Sequence, residues 1–151
     1  MREAQGDLWG FAEYGFADVV VVTTNGDVNA AGRAVMGRGC ALQAAQRFPG
    51  LSEILASYLV RYGNRALVLL KACEPSDFSL VSMPVKHHWR NNADPALIVT
   101  SANQLVQMAD KFEWQSIVVP RPGCGNGGLQ WDDVKPLLEP IFDDRFTVVS
   151  Y

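Results

Sequence analysis

The sequence predicts an α/β fold, a three-layer α/β/α sandwich with a mixed, mostly parallel sheet. Three observations predict it. Apolar runs of strand length alternate with amphipathic stretches of helix length, the pattern of strands joined by crossover helices. Val19-Val20-Val21-Val22 is apolar on both faces, which suits a central strand covered on two sides. Two passages from strand to helix are rich in glycine, and the loops at the carboxyl ends of parallel strands are where such sheets form their ligand crevice. The 151 residues, 48% hydrophobic and 19% charged, fit one domain spanning residues 1–151 with a core of ordinary size.

In chain order, a short N-terminal segment containing Gly6-Asp7-Leu8-Trp9 precedes the first strand, the valine run continued by Thr23-Thr24. Asn25-Gly26-Asp27 has the composition of a hairpin tip, but residues 28–39 show no alternation that would partner the valines, so a loop leaving a buried strand is expected. Residues 41–48 are good helix formers stopped by Pro49-Gly50. A second helix fits residues 51–62, with Ile54, Leu55, Tyr58 and Leu59 on one stripe and Gly63-Asn64 at its end. Residues 65–71 and 78–84 read as two strands joined through a turn at Glu74-Pro75-Ser76-Asp77. The polar and aromatic segment Val85-Lys86-His87-His88-Trp89-Arg90-Asn91-Asn92 follows. Asp94-Pro95 then starts a helix, as N-cap and first helical residue, that runs to about Phe112 with Leu97, Ile98, Ala102, Leu105 and Met108 facing the core. The strand Ile117-Val118-Val119 leads to the second glycine loop. A helix through residues 134–138, with Pro136 expected in its first turn, and a last strand over residues 146–150 complete the chain.

The formal net charge of −3 provides no overall field for non-specific nucleic-acid or membrane binding, so any contact with a polyanion is local. Cys40, Cys73 and Cys124 are odd in number and lack C-x-x-C spacing, and Met1-Arg2-Glu3-Ala4-Gln5-Gly6-Asp7 contains no apolar signal region. A reduced, cytoplasmic, monomeric protein is expected. The longest apolar runs are strand-sized, so no membrane partner is expected either.

Residues 120–131, Pro-Arg-Pro-Gly-Cys-Gly-Asn-Gly-Gly-Leu-Gln-Trp, hold the clearest chemical signal. Gly123, Gly125, Gly127 and Gly128 lack Cβ, so several backbone N–H groups can converge on one oxyanion. No Gly-Lys-Ser/Thr closes the loop, so it is not a Walker A, and it does not follow the first strand as a dinucleotide fingerprint would. Met36-Gly37-Arg38-Gly39-Cys40 forms a second loop of this kind, ahead of a helix N-terminus that favours anions. Two such cradles over one crevice suit a pyrophosphate.

Gly6-Asp7-Leu8, residues 22–25 continuing to Val35-Met36-Gly37-Arg38-Gly39-Cys40-Ala41-Leu42, residues 83–90, and residues 122–131 together resemble a macrodomain, in order and nearly end to end. Within macrodomains they resemble the branch of the terminal ADP-ribose glycohydrolase and the antitoxin domains that strip ADP-ribose from DNA thymine. The resemblance implies an ADP-ribosyl hydrolase with no cofactor, whose partner is ADP-ribose or an ADP-ribosylated protein or DNA. It implies that Asp7, with Leu8 beside it, accepts a hydrogen bond from adenine, and that Asn25 contacts the distal ribose. Met36, Gly37, Arg38, Gly39 and Cys40 match the first phosphate loop, and Gly123, Cys124, Gly125, Asn126, Gly127 and Gly128 match the second. Lys86 matches the lysine proposed to attack the anomeric carbon of the distal ribose. One departure stands out. The glycohydrolase branch carries an aspartate in the second loop where this chain has Gly127, so the chain is similar to the antitoxin type there.

The residues themselves agree with that role for Lys86 without proving it. An amine attacks only when neutral, which requires burial or nearby cations, and His87, His88 and Arg90 are adjacent in sequence; the alternative is a solvated surface lysine. His87-His88 has no third ligand at metal spacing, so no metal is expected. Trp89 and Trp131 suit either stacking on a ligand or covering the core, with loop support favoured for Trp131. Cys124 lacks a histidine placed to activate it and reads as loop wall, and Asp132 and Asp133 read as first-turn helix acids. Two other functions use the same cleft: a reader that binds ADP-ribose without turnover, and a phosphatase acting on ADP-ribose 1″-phosphate.

Overall fold

The computed structural model describes residues 1–72 and 77–151. Cys73 and the turn residues Glu74, Pro75 and Ser76 lie outside the described residues. The elements run β1 (Arg2–Gln5), α1 (Leu8–Glu13), β2 (Val19–Thr24), α2 (Gly39–Arg47), α3 (Leu51–Tyr62), β3 (Leu67–Leu70), β4 (Ser79–Pro84), α4 (Pro95–Phe112), β5 (Ile117–Pro120), α5 (Trp131–Leu138) and β6 (Phe146–Ser150). The sheet has the order β1-β6-β5-β2-β4-β3. Every pairing is parallel except β3 with β4, so it is mixed and mostly parallel, as expected.

The valine run of β2 shows why two helical layers form. Val19 and Val21 enter one core with Ile98, Ala102 and Leu105 of α4 and Val134 and Leu138 of α5. Val20 and Val22 enter the other, with Trp9 of α1, Ala44 of α2 and Leu55 of α3. All four valines are fully buried, and each contributes about 1.5–3 kcal/mol through removal of its side chain from water. The helix α4 has the bounds its capping residues predict: Asp94 accepts from the Ala96 N–H at 2.9 Å, and Pro95 follows. Gly63 ends α3 at φ 84°, donating to the Leu59 carbonyl.

Three features differ from the sequence reading. The polar segment Arg2–Gln5 is a strand, pairing in parallel with β6 at the sheet edge; its residues are mostly exposed, so no apolar alternation marks it. Leu8–Glu13 is a helix of under two turns, started by Asp7, and Trp9 and Ala12 bury its inner side. Pro136 lies in the second turn of α5, because the helix begins three residues earlier than expected, at Trp131, and the proline removes one intrahelical N–H. Among the described residues no helix is long and apolar enough to cross a membrane.

Candidate functional site

The carboxyl ends of β2, β4, β5 and β6 open into one cavity of about 1070 Å³, and both glycine loops line it. The loops touch: a Cβ on Gly39 would stand 3.4 Å from Asn126 Nδ2. Their backbones therefore face a single crevice.

The first loop is held by side chains. Asn25 donates to the Val35 carbonyl at 3.0 Å and accepts from the Asp27 N–H at 3.0 Å, while the Val35 N–H donates to the Asp27 carbonyl at 3.1 Å. An isolated antiparallel bridge, Val28 with Ala34, closes the excursion between them. Met36 is buried and anchors the loop, whereas Gly37 and Arg38 are exposed. The Cys40 sulfur turns inward under Thr23, whose N–H lies 3.4 Å away, and burial pushes the thiol up from its ordinary range. Its backbone stays at the first turn of α2, where helical N–H groups have no intrahelical partner.

The second loop folds back on itself. The Leu129 N–H donates to the Gly123 carbonyl at 2.9 Å, and a Cβ on Gly127 would lie 2.4 Å from that carbonyl oxygen. At Gly123, φ is 73° and a Cβ would meet Ala93 Cβ at 2.8 Å. No side chain fits at 127 in this loop, so the lack of an aspartate there belongs to the loop's shape. Cys124 lines the cavity, its sulfur 3.4 Å from the Pro122 carbonyl, and partial burial pushes the thiol up. Gly128 supports the loop at φ 76° from outside the cavity wall.

Lys86 follows β4 into this crevice. Its Nζ donates to the Asn126 carbonyl at 3.0 Å and to the Trp89 carbonyl at 3.3 Å, and its own carbonyl accepts from Asn64 Nδ2 at 3.0 Å. Holding that carbonyl leaves Asn64 Oδ1 buried without a partner among the described residues, a cost of about 1–3 kcal/mol. The two histidines do not lend the amine their charge directly, because each is bound to a carboxylate: His87 to Asp94 at 2.8 Å and His88 to Asp27 at 3.0 Å. Asp27 also accepts from the Trp89 N–H at 2.7 Å, and that amide, with His88, holds its carboxyl below the usual carboxylate range. The Lys86 segment is thereby pinned to the start of the first loop. Trp131 donates to Glu3 at 2.9 Å, so it ties β1 to the start of α5 as loop support.

The cavity wall includes Arg38, Lys86, Arg90 and Arg121, and no Asp or Glu side chain among the described residues. This local charge runs against a chain of net charge −3. Asp7 and Leu8 are not in the wall: Asp7 caps α1 by accepting from the Trp9 N–H at 3.3 Å, and Leu8 is buried. They adjoin it through the Gly6 N–H, which donates at 2.8 Å to Ser150, a wall residue beside Tyr151 and Gln43. Sequence reasoning missed Asp27, Asn64 and Arg121. Only the Asn-Gly-Asp composition marked Asp27, and nothing local marked the other two.

The chain and its fold have matches among known proteins. The Macro domain family model matches residues 28–138, and the chain belongs to that family. A DNA ADP-ribosyl glycohydrolase of Mycobacterium tuberculosis is 29% identical over 136 residues, covering 85% of this chain and 38% of the relative. The chain thus spans well under half the length of the curated relatives it matches. The solved macrodomain of Mycobacterium tuberculosis DarG superposes with a TM-score of 0.80 at 25% identity, covering 99% of this chain and 97% of that one. Thermosipho africanus DarTG in complex with ADP-ribose shares the fold, with a TM-score of 0.77 at 21% identity over 98% of this chain and 41% of that one.

Proposed function

We propose that this macrodomain binds ADP-ribose in the cavity and hydrolyses the bond joining its distal ribose to a macromolecule, a DNA base by preference. The observation that carries this reading is the Lys86 amine, 3.0 Å from a carbonyl of the second glycine loop, in a cavity whose wall has four cationic side chains and, among the described residues, no Asp or Glu side chain. The loops supply N–H groups to the pyrophosphate, and Arg38 and Arg121 add charge. Asp7, from beside the wall, serves adenine, and Asn25 stands where the first loop begins.

Lys86 acts at the anomeric carbon. In a covalent course the neutral amine forms a bond to that carbon as the leaving group departs with the bonding pair; loss of the amine proton and sugar-ring opening yield an iminium that water hydrolyses. In the other course the charged amine stabilises the departing anion and water attacks directly. Borohydride trapping of a Lys86 adduct separates the two. Because no Asp or Glu side chain among the described residues lines the cavity to protonate the leaving group, the linkages it suits are those that release a stable anion: a base ring nitrogen or a carboxylate, and not an alcohol. The names of the relatives favour the base.

Incubation with an oligonucleotide bearing base-linked ADP-ribose and a peptide bearing an ester-linked one tests the proposal. Release of ADP-ribose by the wild type and not by Lys86→Ala supports it. Binding of ADP-ribose with release from neither substrate establishes the reader, which the closed shape of the second loop at Gly127 favours. On this proposal residues 1–151 work as one monomeric domain in the reduced cytoplasm, which is consistent with the free thiols of Cys40 and Cys124 and with β1 pairing β6; sedimentation would reveal a dimer.

A further inference from the structure

We propose that the Trp89 ring, with the Arg90 guanidinium over it, is a stacking platform for the nucleobase that carries the ADP-ribose. The inference rests on the hydrolase reading and extends it to the leaving group's side of the cavity. Trp89 is 48% exposed, yet its backbone is fixed at both ends: its N–H donates to Asp27 at 2.7 Å and its carbonyl accepts from the Lys86 amine at 3.3 Å. A large aromatic is thus left open to water on a segment that is otherwise braced. Arg90 stands 4.9 Å from the ring centroid, and both residues line the cavity.

Position decides what the ring can meet. The Lys86 amine marks the anomeric carbon, and Trp89, whose carbonyl touches that amine, follows β4, with β6, β5 and β2 lying between it and β1, the strand that leads to Asp7. What lies beyond the anomeric carbon is the group being released. A flat ring capped by a guanidinium accepts any base by its π-face, and the cation adds attraction for the neighbouring backbone phosphate. An acidic peptide would find the cation but has no π-face for the ring.

The test uses the wild type, Trp89→Ala, Trp89→Phe and Arg90→Gln with three probes: the single-stranded oligonucleotide with base-linked ADP-ribose, the ester-linked peptide, and free ADP-ribose. For Trp89→Ala the ratio of oligonucleotide to free ADP-ribose affinity falls about tenfold or more, with the kinetic loss in KM, while Trp89→Phe keeps most of the ratio. Arg90→Gln lowers the salt slope of oligonucleotide binding by about 0.7, one phosphate's worth on a single strand. Equal loss on all three probes, loss confined to the peptide, or no loss overturns the platform. If the wild type binds ADP-ribose but cleaves neither conjugate, the hydrolase reading fails on its own, and the affinity ratio still decides the platform.

Discussion

The two glycine loops meet over one cavity but are built on opposite principles. The first is an open excursion held by the Asn25 side chain and the Asp27 backbone, and a Cβ on Gly37 would meet nothing within 4 Å. The second holds itself by its own backbone, folded so tightly that a Cβ on Gly127 would overlap the Gly123 carbonyl. Gly37 in the first is room for a ligand; Gly127 in the second is a condition of the loop's existence. The Lys86 amine is bound to the second loop, so the reacting group sits against the less adaptable of the two.

The strongest test of that asymmetry removes the amine. Lys86→Ala is expected to lower the rate of ADP-ribose release about 10²–10⁴-fold while calorimetry still detects ADP-ribose binding, since both loops survive. Next, Gly127→Ala must open the second loop: a loss of about 1–3 kcal/mol in denaturant unfolding and at least tenfold in ADP-ribose affinity are expected. A Gly127→Ala protein as stable and as tight as wild type would show that the second loop is as forgiving as the first.

The carboxylate that ties the Lys86 segment to the start of the first loop is sensitive to acid. Asp27 has its carboxyl pKa lowered in the folded state by the Trp89 amide and His88, so its stabilising contribution is present above the unfolded carboxylate value, about 3.9, and is lost as the pH falls through the lower folded value. Thermal melts from pH 7 down to acid are expected to show the wild type losing its advantage over Asp27→Asn below about pH 4. Parallel curves would remove Asp27 as the anchor. The smallest effect belongs to Gly37→Ala, which is expected to change unfolding free energy by less than about 0.5 kcal/mol, with any loss confined to ADP-ribose affinity.

Legibility in the sequence followed the range of the forces involved. The helix α4 was readable to the residue because Asp94, Pro95 and a core stripe are local signals, and the buried valines announced the centre of the sheet. Both glycine loops were readable for the same reason, whereas Lys86 was singled out by the resemblance and not by any local signal. The strand β1 was not, because a polar edge strand is defined by its partner β6, at the far end of the chain. Asp27 and Asn64 act on a segment 61 and 22 residues away, through bonds to His88 and to the Lys86 carbonyl, and no spacing rule reaches that far. The position of Pro136 turned on where α5 starts, three residues from the expected bound, and helix ends are set by capping geometry that Gln130 does not advertise.

The parallel pairing of β1 with β6 sends the two chain ends in opposite directions. Met1 is fastened to the Phe142 carbonyl at the foot of the sheet, while Tyr151 leaves β6 at the rim of the cleft. A label or fused module attached ahead of Met1 would hang from the underside of the molecule, clear of incoming substrate. The same cargo joined after Tyr151 would stand in the doorway.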